Sequence, residues 1–168
     1  GKKLFMSDAF GTAGDKIYRF DLTTGESGVF INTNGWSGTA AFNNPRGLAI
    51  DENGFLYVAD RNSNLIRQFS AETGAFVKNA YSLSSPQGLF YDYAEKNLLT
   101  VSMEATSHRV YCVRSNGYYR VICSSAVSAN CMGLAKIGSD LYYSSFQEQC
   151  VYRVDAEGNR TTVVSTGL

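Results

Sequence analysis

The sequence predicts an all-β protein, and three features of its composition support that fold class. Its 168 residues include 11 Tyr, 10 Phe and 16 Gly. Aromatic residues favour strands, whereas Gly supplies the tight turns between them. No long segment repeats its apolar residues with the period of a helix. Only 18% of the residues are charged, so we expect one folded domain rather than a disordered chain.

The charge balance and the apolar segments exclude several classes of function. Lys plus Arg and Asp plus Glu both number 15, so nothing draws this neutral chain to nucleic acid or to an anionic membrane. The longest apolar runs are too short for membrane insertion. No apolar signal segment follows Gly1, so any signal peptide is expected to have been removed or to lie outside this piece.

A single histidine, His108, rules out most catalytic chemistry on this chain. A zinc site with two or three His ligands cannot be built, and a nucleophile would have one candidate base. We identify no catalytic residue and no set of metal ligands. His108 itself is expected at the surface or at a strand edge, without a functional role.

Two motifs recur along the chain with a common spacing. The first is a short motif centred on Gly before an apolar segment, and its glycines, 41 and 45 residues apart, are Gly47, Gly88 and Gly133. The second is an apolar strand followed by a turn, with starts 49, 44 and 41 residues apart at Ile17, Ile66, Val110 and Val151. A period of about 40–50 residues with four strands per unit is typical of a β-propeller blade.

The repeats divide the chain into about four antiparallel blades within a single propeller segment, 1–168. Their approximate ranges are 1–34, 45–80, 86–125 and 131–166. In the second blade, strand A is Gly47–Asp51, strand B Phe55–Ala59, strand C Leu65–Ser70 and strand D Ala75–Ala80. The first blade lacks strand A. Because open sheet edges and faces are a liability, we expect this chain to form part of a six-bladed or larger ring.

The second blade carries a specific resemblance. Residues Pro45–Asp60 followed by Leu65–Phe69 resemble an NHL repeat, and YWTD-type propellers are also similar. The resemblance implies a propeller whose rigid blades present binding loops. The sugar-lactonase propellers are similar as well, and they hold a cation near the propeller axis.

Four aspartates stand at equivalent positions of the repeats. Asp8 and Asp60 follow strand B, and Asp51 and Asp92 end strand A. Because they recur with the blade period, we predict that they cap turns. The alternative is coordination of a divalent cation such as calcium. Residues 51–54 resemble part of a calcium loop but lack its other ligands, so no cofactor is predicted.

Four cysteines lie in the last third of the chain, at Cys112, Cys123, Cys131 and Cys150. An even, clustered count predicts disulfides and an oxidising compartment. The pairs favoured are 112–123 and 131–150. The alternative is four free, buried thiols.

Two further surface sites are predicted. Asn159-Arg160-Thr161 is a glycosylation sequon in an outer hairpin. Trp36, close to Asn34, lies in the long Gly-rich connection between blades one and two. An exposed aromatic there could stack on a sugar or on a partner chain, or it could pack onto its own blade.

The repeat also predicts a core and two open end faces. The predicted core is Leu48, Leu56, Val58, Ile66, Phe69, Leu89, Val101, Val110, Val113, Leu134 and Val151. Candidates for the open face of blade one are Phe5, Ile17 and Phe20, and those for blade four are Tyr142, Val151 and Val163. Further blades, from the same chain or another copy, are expected against both faces.

Together these features favour a non-enzymatic, extracellular or cell-surface propeller that acts as a scaffold or recognition module. Its expected ligand is a protein or a glycan. The alternative is half of a six-bladed, lactonase-like hydrolase or lyase with a central divalent cation. Fold alone does not decide between a binding module and an enzyme.

Overall fold

The computed structural model describes residues 2–9, 15–32, 41–104, 107–114, 118–125 and 131–165, and these form an all-β fold. The strands are β1 (Lys3–Asp8), β2 (Lys16–Asp21), β3 (Ser27–Asn32), β4 (Pro45–Ile50), β5 (Phe55–Asp60), β6 (Leu65–Ser70), β7 (Phe76–Ser82), β8 (Pro86–Asp92), β9 (Asn97–Met103), β10 (His108–Arg114), β11 (Tyr119–Ser125), β12 (Cys131–Ile137), β13 (Asp140–Ser145), β14 (Cys150–Val154) and β15 (Arg160–Ser165). Within these ranges the one helical segment is the three-residue turn Arg61–Ser63, and no helix there is long and apolar enough to span a membrane.

The strands form four antiparallel sheets in chain order, which confirms the predicted propeller. Blade one has three strands, β1-β2-β3. Blades two, three and four have four strands each, β4–β7, β8–β11 and β12–β15. Blade one therefore lacks an inner strand A within the described residues, as the repeat count predicts.

The inner strands of successive blades meet backbone to backbone, and this contact explains the recurring glycines. A Cβ on Gly47 would lie 2.4 Å from both the Gln87 carbonyl oxygen and the Leu89 nitrogen of the next inner strand. A Cβ on Gly88 would lie 2.7 Å from the Met132 carbonyl oxygen. The pairing of strands A and B is also shifted around each of these glycines, where an extra residue bulges out.

Three apolar clusters fill the spaces between consecutive blades. The cluster between blades one and two comprises Ile17, Ile31, Phe42, Leu56, Val58 and Phe69. The other two lie between blades two and three and between blades three and four. Blades two and three each contribute to two clusters because successive side chains of a strand point to opposite faces.

Most of the predicted core is buried, with three exceptions. Leu48, Leu134 and Val151 are only half-buried. Leu48 and Leu134 lie on strand A, which is the edge strand of its sheet and has no strand on its inner side. Val151 alternates with the buried Tyr152 on β14, so it lies on the face of blade four that turns away from blade three.

The open faces differ in part from those predicted. The outer face of blade one exposes Leu4, Met6 and Val29, and Phe20 pairs directly with Leu4. The prediction was wrong for Phe5 and Ile17, which alternate with them and pack towards blade two.

On blade four, the exposed apolar residues include Val163, as predicted, together with Ile137 and Val164. Tyr142 and Val151 are half-buried. Blade four therefore presents an apolar face on the side away from blade three.

Candidate functional site

Of the predicted surface sites, the structure describes the sequon asparagine but not the two residues of the predicted binding loop. Trp36 and Asn34 lie outside the described residues. Asn159 is exposed in the turn between β14 and β15. Its side-chain nitrogen donates to Asp155 Oδ2 at 3.0 Å, and its backbone N–H donates to Asp155 Oδ1 at 2.8 Å. These hydrogen bonds hold the pKa of Asp155 below its usual value. Glycosylation of Asn159 remains a prediction.

The four cysteines are free and buried, and neither predicted pairing matches the sheet register. Cys131 and Cys150 both face Ser145 from opposite sides of β13, so roughly two strand spacings, about 10 Å, separate them. Cys112 faces Arg120 across the β10–β11 pair, whereas Cys123 faces Val110. Both separations exceed what a disulfide spans.

Three of the buried thiols are also poor nucleophiles. Burial raises the pKa of Cys112 and Cys123, and it raises the pKa of Cys131 to about 12. A thiol of this kind stays protonated at neutral pH and is chemically inert. These cysteines therefore act as small apolar residues in the cluster between blades three and four.

The aspartates that end strand A cap turns, as predicted. Asp51 Oδ1 accepts hydrogen bonds from the backbone N–H groups of Asn53 and Phe55, both at 2.9 Å. Asp92 Oδ1 accepts from Ala94 and Glu95 at 3.1 and 3.3 Å. Each carboxylate thus has one oxygen committed to capping its own turn. In the described ranges, no group of three or more His, Cys, Asp or Glu side chains is arranged to hold a metal.

Asp60 has a different role, because it forms a buried ion pair rather than a turn cap. Its Oδ2 lies 2.7 Å from Arg67 Nε, and both side chains are almost completely buried. Its Oδ1 accepts a hydrogen bond from the Asn43 backbone at 2.7 Å. Arg67 also donates to the Ala41 carbonyl at 3.5 Å. The pair therefore anchors the segment that leads from blade one into blade two.

His108 is fully buried, so the prediction of a surface or edge position was wrong. Its Nε2 lies 2.9 Å from the hydroxyl of Tyr143, on the neighbouring blade. Arg160 Nη1 lies 3.4 Å from the same nitrogen, and its guanidinium stacks 4.2 Å over the Tyr152 ring. This polar cluster joins blade three to blade four across their interface.

The strongest candidate binding surface is a groove at the outer edge of blade three. Arg114, Tyr118, Tyr119 and Arg120 line about 280 Å³ of space there, and we call this surface the basic groove. Tyr118 is 75% exposed and Tyr119 is 58% exposed. The two arginines also line the adjoining space between blades three and four.

The basic groove combines an oriented tyrosine ring with two arginines that lack acidic partners among the described residues. The Tyr119 ring packs edge-on against Tyr111 at 5.5 Å, which fixes its orientation. Neither Arg114 nor Arg120 forms an ion pair with a carboxylate in the described part of the chain, whereas Arg109 and Arg153 are paired with acidic residues.

Sequence reasoning missed the basic groove, although one signal was present. Tyr118 and Tyr119 are adjacent in the sequence and are followed by Arg120. Adjacent residues of a strand face opposite sides, so two neighbouring tyrosines at the start of an outermost strand cannot both be buried in one core.

Comparisons with known proteins agree with the fold. Residues 42–69, which cover strands A to C of blade two, match the NHL repeat. No curated protein matches the sequence. A chain in a crystal structure of a nidogen/laminin complex is similar with a TM-score of 0.67 and 15% identity, over 96% of this chain and 75% of that chain.

Two enzyme structures are also similar. Virginiamycin B lyase from Staphylococcus aureus has a TM-score of 0.66 and 13% identity, over 91% of this chain and 49% of the lyase. The PQQ-bound aldose sugar dehydrogenase from Streptomyces coelicolor has a TM-score of 0.70 and 10% identity, over 98% of this chain and 63% of the enzyme. The chain thus spans less than two thirds of either enzyme, and identities this low show the fold alone. The chain therefore contains an NHL repeat and folds as a β-propeller of four blades.

Proposed function

We propose that this chain is part of a non-enzymatic propeller that recognises an acidic segment of a partner protein through the basic groove. The observation that carries the proposal is the pair of exposed tyrosines flanked by two arginines without acidic partners. Tyr and Arg dominate the energetic centres of protein interfaces. The two guanidinium groups add a preference for carboxylates, which they bind in a bidentate manner.

Several observations support protein recognition and an extracellular location. The similar chain in the nidogen/laminin complex belongs to a protein–protein complex. The sequon at Asn159 is exposed, as glycosylation requires. The free thiols give no support from disulfides, so the extracellular assignment depends on the sequon and on this likeness.

The alternative function is half of a hydrolase or lyase with a central divalent cation. The likeness to lyase and dehydrogenase propellers favours it. The described residues provide little for it, because Asp51 and Asp92 cap turns and Asp60 is paired with Arg67. We therefore place recognition ahead of catalysis and propose no resident cofactor.

Binding of an acidic peptide tests the proposed function. We expect a fluorescent peptide of eight alternating Asp and Glu residues to bind the 168-residue chain at low salt. The double variant R114S/R120S should weaken binding at least about tenfold, because both unpaired cations are lost. Fluorescence anisotropy measures the affinity.

A matched control distinguishes the loss of the groove arginines from a general change in net charge. The double variant R109S/R153S removes the same two charges, but from arginines that are already paired with Glu104 and Asp140. It should bind the peptide within about twofold of the unmodified chain. Equal losses in both double variants would contradict the proposal. Binding of a heparin fragment in place of the peptide would assign the groove to a glycan.

We also propose that further blades of the same kind cover the two end faces. Gly47 and Gly88 each meet the inner strand of the next blade, whereas a Cβ on Gly133 would lie 3.3 Å from Ser144 Oγ of its own blade and would meet no inner strand among the described residues. Leu4 and Met6 are about half exposed at the other end. Light scattering of the 168-residue chain should show association that increases with concentration, and a stable, monodisperse monomer would contradict this proposal.

A further inference from the structure

The cleft between blades two and three combines tyrosine rings with carboxylates. Asp51, Glu52, Tyr57, Tyr81, Tyr91 and Lys96 are among the residues that line its volume of about 200 Å³, and we call it the tyrosine cleft. This volume is below the roughly 300 Å³ of a typical small-molecule pocket, so a single side chain is a more suitable occupant.

The Glu52 carboxylate has one oxygen held in place and one that is weakly engaged. Tyr91 donates a short hydrogen bond to Oε2, and this bond holds the pKa of Glu52 below its usual value. Oε1 lies 3.7 Å from Lys96 Nζ, and the Lys96 side chain is 71% exposed. Ion pairs of this kind contribute little and exchange readily with solvent.

The phenols in the cleft remain neutral and act as hydrogen-bond donors. Burial raises the pKa of both Tyr57 and Tyr91 above the usual value. The Tyr57 hydroxyl donates to Asp51 Oδ2 at 3.2 Å and accepts from Gln68 Nε2 at 3.0 Å. Neutral aromatic rings beside an anionic carboxylate form an environment that favours cations.

The equivalent cleft between blades three and four shows how a cation is held at this position. Asp92 stands four residues after Gly88, as Asp51 stands four residues after Gly47. Lys136 occupies the position that Tyr91 occupies one blade earlier, and its ammonium pairs directly with Asp92. One cleft therefore has a lysine of the chain in close contact with its carboxylate, whereas in the tyrosine cleft Tyr91 stands at that position and the lining lysine, Lys96, lies 3.7 Å from Glu52 Oε1.

We propose that the tyrosine cleft binds the ammonium or guanidinium group of a Lys or Arg side chain presented by a partner protein. The incoming cation takes the place of Lys96 beside Glu52 Oε1, and the rings of Tyr91 and Tyr57 flank its alkyl chain. This site lies in a different cleft from the basic groove. It adds a recognition point of opposite charge to the proposed function and does not depend on the groove.

Binding of Nα-acetyl-lysine amide to the ¹⁵N-labelled 168-residue chain tests the proposal, with chemical-shift titration as the measurement. We expect millimolar binding with shifts confined to the tyrosine cleft. K96A should bind about three to ten times more tightly, because the competing ammonium is removed. E52Q should bind at least about five times more weakly. Acetyl-norleucine amide, which lacks the ammonium, should not bind.

Two control variants show whether a loss of binding is specific to the tyrosine cleft. E95Q removes a carboxylate that lines the neighbouring cleft and should bind acetyl-lysine amide as the unmodified chain does. R114S/R120S should also bind acetyl-lysine amide with unchanged affinity. E52Q should bind the acidic peptide of the proposed function with unchanged affinity. The tyrosine cleft and the basic groove are therefore tested independently. Unchanged or weaker binding by K96A, or norleucine binding equal to lysine binding, would overturn the proposal.

Discussion

Replacing Gly47 with alanine should destabilise the protein by at least about 3 kcal/mol, the upper part of the range for overpacked sites. The new Cβ would lie 2.4 Å from two backbone atoms of the neighbouring inner strand, Gln87 O and Leu89 N. Backbone in a paired strand cannot move aside as a flexible side chain does. Blades two and three would have to separate, and the apolar cluster between them would loosen.

Two further glycine variants serve as a comparison and as a control for Gly47→Ala. Gly88→Ala should also be damaging, since its Cβ would lie 2.7 Å from the Met132 carbonyl oxygen. Gly133→Ala should have a small effect in this chain, because its nearest contact is the Ser144 hydroxyl at 3.3 Å. By thermal unfolding, Gly47→Ala should lower Tm by roughly 6–12 °C. A Tm for Gly47→Ala equal to that of Gly133→Ala would refute the close packing of the inner strands.

Removing one partner of the buried Asp60–Arg67 pair should cost about 3–5 kcal/mol. Arg67→Met keeps most of the side-chain volume but leaves the Asp60 carboxylate buried without its cation. That carboxylate would retain a hydrogen bond from the Asn43 backbone, which cannot balance a full charge. The segment leading into blade two would lose its anchor at the same time. Urea unfolding monitored by circular dichroism measures the loss.

A double variant and an exposed pair serve as controls. Asp60→Leu combined with Arg67→Met removes both charges and should be less destabilised than the sum of the single variants. Arg153→Met breaks a pair of similar length, 2.6 Å, but at the surface, so its unfolding midpoint should hardly change. If Arg67→Met unfolded at the same urea concentration as Arg153→Met, the buried ion pair would not contribute to the stability of the fold.

Much of this fold could be predicted because it depends on neighbours along the chain. The period of the glycines, the antiparallel hairpins and the missing first strand all follow from local spacing. The capping role of Asp51 and Asp92 was predictable for the same reason, since each carboxylate binds backbone N–H groups only two to four residues away.

The register of the third strand was predictable as well. The repeat aligns Val110 with Ile66, and in the structure Val110 pairs with Val101 as Ile66 pairs with Ala59. Both side chains lie in the apolar cluster shared with the next blade along the chain. A slip of one residue would have moved either of them to the opposite face.

The sequence by itself determined the propeller, its blades and the local turn caps of this protein. Only the tertiary structure decided that His108 is buried against Tyr143, 35 residues away, and that the thiols are too far apart to pair as predicted. It also decided that Arg114 and Arg120 lack acidic partners while Arg67 has one. The physical reason is that these outcomes depend on contacts between strands and blades, which join residues far apart in the sequence.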